Sequence, residues 1–359
     1  MIIAIDCRMF NASGVGVYLR GCLPYFLQTD HNFLLIGNIE QLRSFEAGAN
    51  VKIINCNIKS FSLKELFFFP VSIKKQINRA DIYYSPFFNI PCGIKIPVYT
   101  TIHDIIFPDM PQLVSKAGLY ARMFFFRRAY KKSRKIFTVS EFSKSRIEYH
   151  LGDNKPVIVT HSAAHPMFME YRANVKNIQK KETIVFIGNI KKHKGLDCLL
   201  DAFRLAVNEG LSHKLIIIGS KENFRTKNNP ILQKIDSFGP DKILFTGFIT
   251  DEKLIENLAE AALLVQPSLY EGFCLPPLEA MILGTNALVS GIPVLKEVYY
   301  EFPVCYFNAD DATDLKNKLM QILYKKNASS LSLDENLINK YTFKKSASII
   351  LDNFNKNAG

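Results

Sequence analysis

Residues 267–281 read PSLYEGFCLPPLEAM, and this stretch predicts the architecture of the chain. It follows an apolar run, Leu263–Gln266, that is typical of a buried strand. Two consecutive prolines stand where a helix would begin, because proline is tolerated in the first helical turn. The stretch therefore predicts a strand, a loop that carries Glu271, and a helix that begins just before Glu279.

Short apolar runs alternate with longer amphipathic stretches along the whole chain. Segments such as Gly195–Asn208, Asp251–Ala261 and Pro276–Leu283 are predicted as helices. The predicted strands are Ile2–Ile5, Phe33–Ile36, Val51–Ile54, Ile82–Tyr84, Val98–Ile102, Ile136–Val139, Val157–Thr160, Ile184–Ile187, Leu215–Ile218, Ile243–Phe245, Leu263–Gln266, Ala287–Val289 and Cys305–Phe307. Strands that alternate with helices imply an α/β fold with parallel sheets covered on both faces.

A break in this rhythm indicates two domains. The segment from His161 to Lys181 is polar, contains Pro166 and suits an interdomain connection. We therefore predict two Rossmann-like domains, residues 1–170 and 171–340, whose parallel sheets face each other across a cleft. Residues 341–359 are expected to form a helix that packs back on the first domain.

Length and composition set the class of protein. A chain of 359 residues with 48% hydrophobic and 22% charged residues is typical of two ordered globular domains. No apolar run approaches the roughly 20 residues that span a bilayer, and the first residues, MIIAID, predict a strand rather than a signal peptide. Seven widely spaced cysteines argue against a disulfide framework and a zinc site. We therefore expect a cytoplasmic protein.

Glu271 and Glu279 are the first candidate binding residues. Gly272 lets a ligand approach the backbone because it has no side chain, and free N–H groups beside a helix N-terminus suit phosphate. The two carboxylates could accept hydrogen bonds from sugar hydroxyls. They could equally be a partner of the helix dipole and a solvated loop residue, so these two residues alone leave both interpretations open.

Residues 186–196, FIGNIKKHKGL, are the second candidate. A predicted strand ends in Gly188, and a basic loop beginning at Asn189 leads into a helix. Lys194 at the start of that helix would add a positive charge to the helix dipole, which suits a diphosphate. A solvated basic loop is the alternative, but the place of the loop directly after a strand favours phosphate binding.

Two weaker candidates lie in the first half of the chain. Gly14 and Gly16 follow the first strand and would let backbone approach a ligand, but a tight turn before a helix would have the same sequence. The dinucleotide-binding fingerprint is incomplete there. His103 falls at the carboxyl end of the predicted strand Val98–Ile102, where α/β folds expose functional groups. A purely structural histidine is the alternative.

The formal net charge of +12 calls for an anionic partner or another explanation. Residues 122–135, RMFFFRRAYKKSRK, carry seven cations and no acid. The candidate membrane patch in this stretch consists of Arg122, Arg127, Arg128, Lys131 and Lys132. Such a helix could lie on an anionic membrane, where each cation contributes about 1 kcal/mol. Nucleic acid and an ordinary helix with a wet basic face are the alternatives. Residues 66–79 have a similar character and favour membrane contact slightly.

Taken together, these motifs resemble the retaining glycosyltransferases of family 4, which have the GT-B fold. The resemblance covers most of the chain and is densest in the second half. The matching positions are Glu271 and Glu279 for the family's E-x7-E motif, Lys194 for its phosphate-binding lysine, Gly14 and Gly16 for its N-terminal glycine loop, and His103 for its active-site histidine.

The resemblance implies a role for each matching residue. Glu271 would hold hydroxyls of the donor sugar, Glu279 would hold the ribose, and Lys194 would neutralise the departing diphosphate. His103 would face the sugar near the reacting carbon, so the implied catalytic residues are Glu271, Lys194 and His103. The further positions implied to contact the donor are Gly14, Gly16, Asn189, Ile249, Gly272 and Phe273.

The chain departs from the family pattern at two places in these motifs. Many members have arginine where this chain has Asn189, so Lys191, Lys192 or His193 would have to supply the missing charge. Cys274 replaces the common second glycine of the E-G-F-G string. The change at Cys274 removes no charged group that the chemistry needs.

The predicted function is transfer of a hexosyl or deoxyhexosyl group, of the mannose, rhamnose or glucose type, from a nucleotide-diphosphate sugar. The expected acceptor is a hydroxyl of a lipid-linked or surface-polysaccharide glycan. We expect no cofactor, no metal and no nucleic-acid partner, and a protein associated with the inner face of the cell membrane. The alternative is a non-catalytic, basic membrane- or nucleic-acid-binding protein on Rossmann-like domains.

Overall fold

The structure is a computed structural model that describes residues 1–175, 178–219, 230–324, 331 and 333–355. The chain divides into two compact units. Unit 1 comprises Met1–Ala163 together with Tyr341–Gly359, and unit 2 comprises Ala164–Lys340.

Unit 1 is built on a seven-stranded parallel sheet. Its strands are β1 (Ile2–Asp6), β2 (Asn32–Gly37), β3 (Val51–Asn55), β4 (Ile82–Ser85), β5 (Val98–Thr101), β6 (Ser133–Thr138) and β7 (Val157–Val159), in the order β3-β2-β1-β4-β5-β6-β7. Its helices are α1 (Ser13–Leu27), α2 (Ile39–Leu42), α3 (Leu63–Phe67), α4 (Val71–Ile77), α5 (Ile106–Asp109), α6 (Lys116–Lys132), α7 (Glu141–Leu151) and, at the end of the chain, α16 (Phe343–Asn355). Strands β4 and β5 are buried along their whole length, as is typical of inner strands of a parallel sheet that is covered on both faces.

Unit 2 repeats this plan with a six-stranded parallel sheet. Its strands are β8 (Lys181–Ile187), β9 (Lys214–Ile218), β10 (Ile243–Gly247), β11 (Ala261–Gln266), β12 (Asn286–Ser290) and β13 (Cys305–Phe307), in the order β10-β9-β8-β11-β12-β13. Its helices are α8 (Pro166–Asn174), α9 (Leu196–Asn208), α10 (Pro230–Asp236), α11 (Asp251–Glu260), α12 (Pro276–Ile282), α13 (Pro293–Val298), α14 (Ala312–Leu323) and α15 (Glu335–Ile338). The fully buried Phe186, Leu199 and Phe203 anchor α9 to β8.

Helix α16 belongs to unit 1 although the whole of unit 2 precedes it in the chain. The Phe343 ring lies on Gly21 of α1, where any side chain would collide with it. Phe354 packs against Tyr84, Tyr99 and Phe137, with ring centroids between 4.8 and 6.1 Å apart. The last helix thus covers part of the core of unit 1.

Every strand predicted from the apolar runs is present, and the differences are confined to the strand ends. The segment between His161 and Lys181 contains the boundary between the two units, after Ala163, and also helix α8, in which Pro166 occupies the first turn. Among the described residues, no helix is long and apolar enough to cross a membrane.

The order of the strands fixes where ligands can approach each sheet. All strands are parallel, but the direction in which successive strands are added to the sheet reverses between β1 and β4 in unit 1, and between β8 and β11 in unit 2. In open α/β sheets a crevice forms outside the carboxyl ends of the two strands at this point. The loops after β8 and β11 are the ones that carry Lys194 and Glu271.

Candidate functional site

The loops after β8 and β11 are joined through their backbones. The Leu269 N–H donates to the His193 carbonyl at 2.8 Å. Gly195 has a φ of +68°, and a side chain there would run into the Pro267 carbonyl oxygen. Glycine is therefore required for the two loops to approach this closely. The contact sets Lys194 beside the loop that carries Glu271.

Lys194 and Glu271 form a two-pronged ion pair. The Lys194 ammonium lies 2.6 Å from Oε1 and 2.9 Å from Oε2 of Glu271. The Ser268 hydroxyl donates to the same Oε1 at 2.7 Å, and the Gln266 side-chain amide donates to that hydroxyl at 3.1 Å. Ser268 and Gln266 are fully buried, so the carboxylate is held from inside the protein. The structure brings together two of the three residues predicted to be catalytic.

The electrostatics of Glu271 follow from this pairing. Burial alone would raise the pKa of the carboxyl, because it disfavours the charged form. The Lys194 ammonium, its hydrogen bonds and that of Ser268 outweigh burial and hold the pKa of Glu271 below its ordinary value. The side chain of Lys194 is 23% exposed, so its other face can meet solvent or a ligand. Glu271 is thus an ionised acceptor across the physiological pH range.

Glu279 differs from Glu271 in that no cation among the described residues offsets its burial. It lies in the first turn of α12, is only 8% exposed, and its carboxyl has no hydrogen-bond or ion-pair partner in the described part of the chain. Burial, with a smaller contribution from the negative charge of Asp251, raises the pKa of Glu279 to about 8. A buried carboxyl without a partner is costly, and such groups cluster at functional sites. At pH 7 the Glu279 carboxyl is therefore mostly protonated, and it can both donate and accept hydrogen bonds with a ligand.

The basic loop after β8 supplies less charge than its sequence indicates. Burial and the neighbouring Lys194 ammonium lower the pKa of His193 to about 4, so its ring is neutral at pH 7. Of the three residues predicted to replace the missing arginine charge, Lys191, Lys192 and His193, the last is therefore uncharged at pH 7. Lys191 and Lys192 are exposed, and Asn189 is half-buried at the end of β8.

The remaining predicted donor positions of unit 2 follow the ends of its strands. Gly272 and Phe273 lie in the loop after β11, and Phe273 is buried. Ile249 is half-buried in the loop after β10, next to Phe248, which is 90% exposed. Because the strands are parallel, these loops leave the sheet at the same edge as Lys194.

The glycines predicted to form a loop in unit 1 lie in a helix. Gly14 and Gly16 are in the first turns of α1, and the Gly16 N–H donates to the Ala12 carbonyl at 2.9 Å. A side chain at Gly16 would run into the Phe10 carbonyl oxygen. The predicted loop at these positions is wrong, because the amide of Gly16 is used inside the helix and its missing side chain serves packing.

His103 lies just after β5 in unit 1, as predicted. Its Nε2 is 2.8 Å from the Pro86 carbonyl oxygen, so Nε2 carries the proton and donates. Burial lowers the pKa of His103 to about 4. The ring meets Tyr18 of α1 edge to face at 5.1 Å. His103 is therefore a neutral imidazole at pH 7, with its proton on Nε2.

The basic stretch forms most of helix α6, and only part of it faces solvent. Arg128 donates to the carbonyl oxygens of Ile90 and Pro91, and the Arg122 guanidinium lies 4.4 Å above the Phe107 ring. The exposed cations of the predicted patch are Arg127, Lys131 and Lys132. Arg122 and Arg128 make contacts within the protein, so they should not be counted in an exposed membrane patch.

Two groups of polar residues escaped the sequence analysis. Arg8 bridges the carboxylates of Asp6 and Glu65 at 2.5 Å each, and Tyr83 donates to Asp6 at 2.6 Å, all beside the carboxyl ends of β1 and β4. Asp6 at the end of the first strand was the signal available for this group. Ser268 lies in the 267–281 stretch, but nothing in that stretch indicates its hydrogen bond to Glu271. Within the described residues, no cluster of three or more His, Cys, Asp or Glu side chains could hold a metal ion.

The second unit matches a known family. A family model described as glycosyl transferases group 1 matches residues 168–340. The serotype-specific mannosyltransferase WbdA of Escherichia coli is 30% identical over 205 residues, which are 54% of this chain and 25% of that protein. The O-antigen chain mannosyltransferase B of Escherichia coli is 28% identical over 233 residues, 60% of this chain and 58% of that protein.

Solved structures extend the likeness over the whole chain. The structure of Anabaena Alr3699/HepE in complex with UDP and glucose has a TM-score of 0.72 and 15% identity, and covers 99% of this chain and 100% of that one. Sucrose-phosphate synthase from Thermosynechococcus elongatus has a TM-score of 0.71 and 14% identity, covering 99% and 98%. At this identity the likeness concerns the fold. The predicted resemblance to glycosyltransferases and the predicted GT-B fold are both confirmed, while membership of family 4 and retention stay predictions.

The ion pair of Lys194 and Glu271 can be tested by unfolding. Lys194→Met leaves a buried carboxylate without its cation, and we expect the free energy of unfolding at pH 7.5 to fall by about 2 kcal/mol. Adding Glu271→Gln to that variant should recover about half of the loss, because the neutral amide needs no counter-ion. Urea titrations of the two single variants and the double variant measure the coupling. Strictly additive losses would contradict the pairing. The exposed pair Lys253 and Glu256 is the control, and its cycle should show no measurable coupling.

The raised pKa of Glu279 makes stability depend on pH. The folded state keeps the proton up to about pH 8, whereas the unfolded chain loses it near 4.5, so this group lowers stability progressively as pH rises from 4.5 through 8. Glu279→Gln removes that loss. We expect its Tm to exceed that of the wild type by about 2–4 °C at pH 8.5 and by clearly less at pH 5.5. Calorimetry at both values, with the exposed Glu170→Gln as the charge control, tests this. An equal difference at the two pH values would refute it.

Proposed function

We propose that this chain is a retaining glycosyltransferase that moves a hexosyl or deoxyhexosyl group from a nucleotide-diphosphate sugar to an acceptor hydroxyl. The observation that carries the proposal is the pairing of Lys194 with Glu271 at the carboxyl edge of β8 and β11, followed in the same segment by the unpartnered Glu279. The acceptor we propose is a lipid-linked or surface-polysaccharide glycan. Two mannosyltransferases among the relatives support a mannose-type donor over the rhamnose or glucose types.

Lys194 is the residue proposed to meet the diphosphate. Its ammonium has an exposed face, and Lys194 directly precedes Gly195, the N-cap residue of the long helix α9, whose N-terminus favours anions. The exposed Lys191 and Lys192 would add to the positive potential that draws the donor in. The nucleotide sugar is the substrate here, and the proposal assigns no role to a metal ion because Lys194 supplies the cation.

The two glutamates are proposed to hold the sugars at either end of the diphosphate. Glu271 is ionised and accepts hydrogen bonds from hydroxyls of the transferred sugar, while Glu279 accepts from the ribose. Ribose hydroxyls would supply the hydrogen bonds that the buried Glu279 carboxyl otherwise lacks, and would favour its charged form. The backbone of Gly272 and Phe273 would contact the phosphate or sugar, and the backbone near Ile249 would contact the base.

The reaction proposed has few chemical steps. The bond from the anomeric carbon to the diphosphate oxygen breaks, the acceptor oxygen bonds to the same face of that carbon, and the acceptor proton passes to the departing phosphate oxygen. Positioning and charge stabilisation do most of the catalysis, with Lys194 matching the charge that grows on the diphosphate. A hydrolase with a carboxylate nucleophile fits less well, because both oxygens of Glu271 are engaged by Lys194. His103, neutral and fixed by Pro86, is proposed to orient the sugar rather than to carry charge.

Turnover measurements test the proposal. Lys194→Ala and Glu271→Ala should each lower kcat/KM by about 100-fold or more, since each removes a group that acts on the charged transition state. The assay is release of nucleoside diphosphate from GDP-mannose, UDP-glucose and dTDP-rhamnose in turn. Lys253→Ala, an exposed lysine of α11, is the control and should retain wild-type rates. Wild-type turnover in both site variants would reject the roles assigned to Lys194 and Glu271, and absence of turnover by the wild type with every donor would leave the non-catalytic alternative.

A second proposal concerns contact of unit 1 with an anionic membrane. Three large apolar side chains in α3, α4 and the connection between them are unusually exposed: Phe67 at 65%, Phe68 at 75% and Val71 at 62%. The exposed Lys64 and Lys75 lie in the same two helices. Aromatic side chains flanked by lysines suit the interface of a bilayer that carries negative lipids. This surface supports membrane contact better than α6, whose arginines are partly engaged.

Sedimentation with vesicles tests that contact. Wild-type protein should bind vesicles with 40% phosphatidylglycerol more strongly than vesicles of phosphatidylcholine alone. The double variant Phe67→Ser with Phe68→Ser should bind the anionic vesicles about tenfold more weakly, because two aromatic side chains no longer enter the interface. Tyr149→Ser, which removes another exposed aromatic residue of unit 1, is the control and should bind like the wild type. Equal binding to both vesicle types, or undiminished binding by the double variant, would refute the contact.

A further inference from the structure

Tyr299 joins both ends of the turn that leads from Glu271 to Glu279. It follows helix α13 directly and is fully buried. Its hydroxyl donates to the Cys274 carbonyl oxygen and accepts from the Leu278 N–H at 3.2 Å. One hydroxyl thus holds the loop after Glu271 and the first turn of α12 together.

The start of α12 explains why the Leu278 amide needs this partner. The helix begins with Pro276 and Pro277, which have no N–H, and its N-cap residue, Leu275, provides no side-chain cap. The Glu279 N–H is already bonded to the Leu275 carbonyl at 3.1 Å. Leu278 therefore carries the amide that the helix itself leaves without a partner, and a buried amide of this kind must be satisfied. Tyr299 caps the helix from another element.

The Cys274 end of the turn is conformationally costly. Cys274 has a φ of +73°, in the left-handed region that residues with a side chain rarely adopt. Such a conformation persists only where the surrounding structure holds it. The hydrogen bond from Tyr299 to the Cys274 carbonyl, together with burial of the Cys274 side chain, provides that restraint.

We propose that Tyr299 is a positioning residue for the nucleotide-sugar donor. It fixes the Gly272–Leu275 loop relative to the helix that carries Glu279, so that both donor-binding glutamates are preset before the donor arrives. This inference rests on the proposed function and adds to it a residue outside the binding motif. The ring of Tyr299 also packs edge to face on Phe302 at 5.6 Å, so the hydroxyl must be tested separately from the ring.

The variant Tyr299→Phe keeps the ring and removes both hydrogen bonds. Fewer molecules would then hold the loop in its binding conformation, and the apparent affinity falls by the same factor. We expect binding of GDP or UDP, measured by calorimetry, to weaken about tenfold, and KM for the donor to rise by a similar factor. At saturating donor, kcat should stay within about threefold of the wild type, because the bound donor reorders the loop. Hydrogen exchange at the Leu278 amide should accelerate about tenfold in the protein without nucleotide.

Tyr306→Phe is the matched control. Its hydroxyl donates to the Leu295 carbonyl of α13 at 3.2 Å, so the control also removes one hydrogen bond to this helix. Nucleotide affinity and Leu278 exchange should be unchanged in it. Equal nucleotide binding by Tyr299→Phe and wild type would overturn the role of Tyr299 and leave the proposed function standing. Failure of wild-type protein to bind either nucleotide would overturn the proposed function, and the donor role of Tyr299 with it.

A second comparison separates positioning from general loss of packing. In a Cys274→Gly background the left-handed conformation carries no side-chain cost, so the turn depends less on Tyr299. Tyr299→Phe should then weaken nucleotide binding by about threefold or less. A tenfold loss in both backgrounds would show that the hydroxyl does not restrain Cys274 and would overturn the proposal.

Discussion

The pairing of a partly exposed ammonium with a buried carboxylate organises unit 2. Glu271 could not remain charged in its buried position without Lys194, and Lys194 reaches it only because two loops from different strands touch through Gly195 and Pro267. The strand order places those loops side by side, because β8 and β11 are the neighbouring strands between which the order of strand addition reverses. The strand order, Gly195 and the ion pair therefore constrain this region together. Ser268 and Gln266, which lie behind Glu271, hold its carboxylate in one orientation.

The two glutamates of one motif have opposite electrostatics. Glu271 has its counter-ion inside the protein, whereas Glu279 has burial without compensation. A folded protein tolerates such a group at a cost in stability, and the cost is common where a ligand is meant to complete the hydrogen bonds. Under the proposed function, this difference places an ionised Glu271 and its counter-ion Lys194 near the diphosphate and transferred sugar, and leaves Glu279 for the ribose hydroxyls.

Much of this could be predicted from the sequence, because apolar runs and strand-end motifs are local signals. Strand positions and the start of α12 followed from such signals. A common site for Lys194 and Glu271 was implied only by the family resemblance. The failures depended on contacts distant in sequence. Nothing local indicates that burial removes the charge of His193 or that Arg128 turns inward to Ile90. Tyr299 lies beyond the motif, and only tertiary structure brings its hydroxyl to Leu278.

The position of α16 has a consequence for synthesis of the chain. Unit 2 is continuous in sequence, so all of its strands are synthesised before Phe343 and Phe354. Until then Tyr84, Tyr99 and Phe137 of unit 1 lack the aromatic side chain that covers them. Domains generally fold as units during translation. The unit that begins first is therefore the one that finishes last, and its open apolar surface is what a chaperone would meet on the nascent chain.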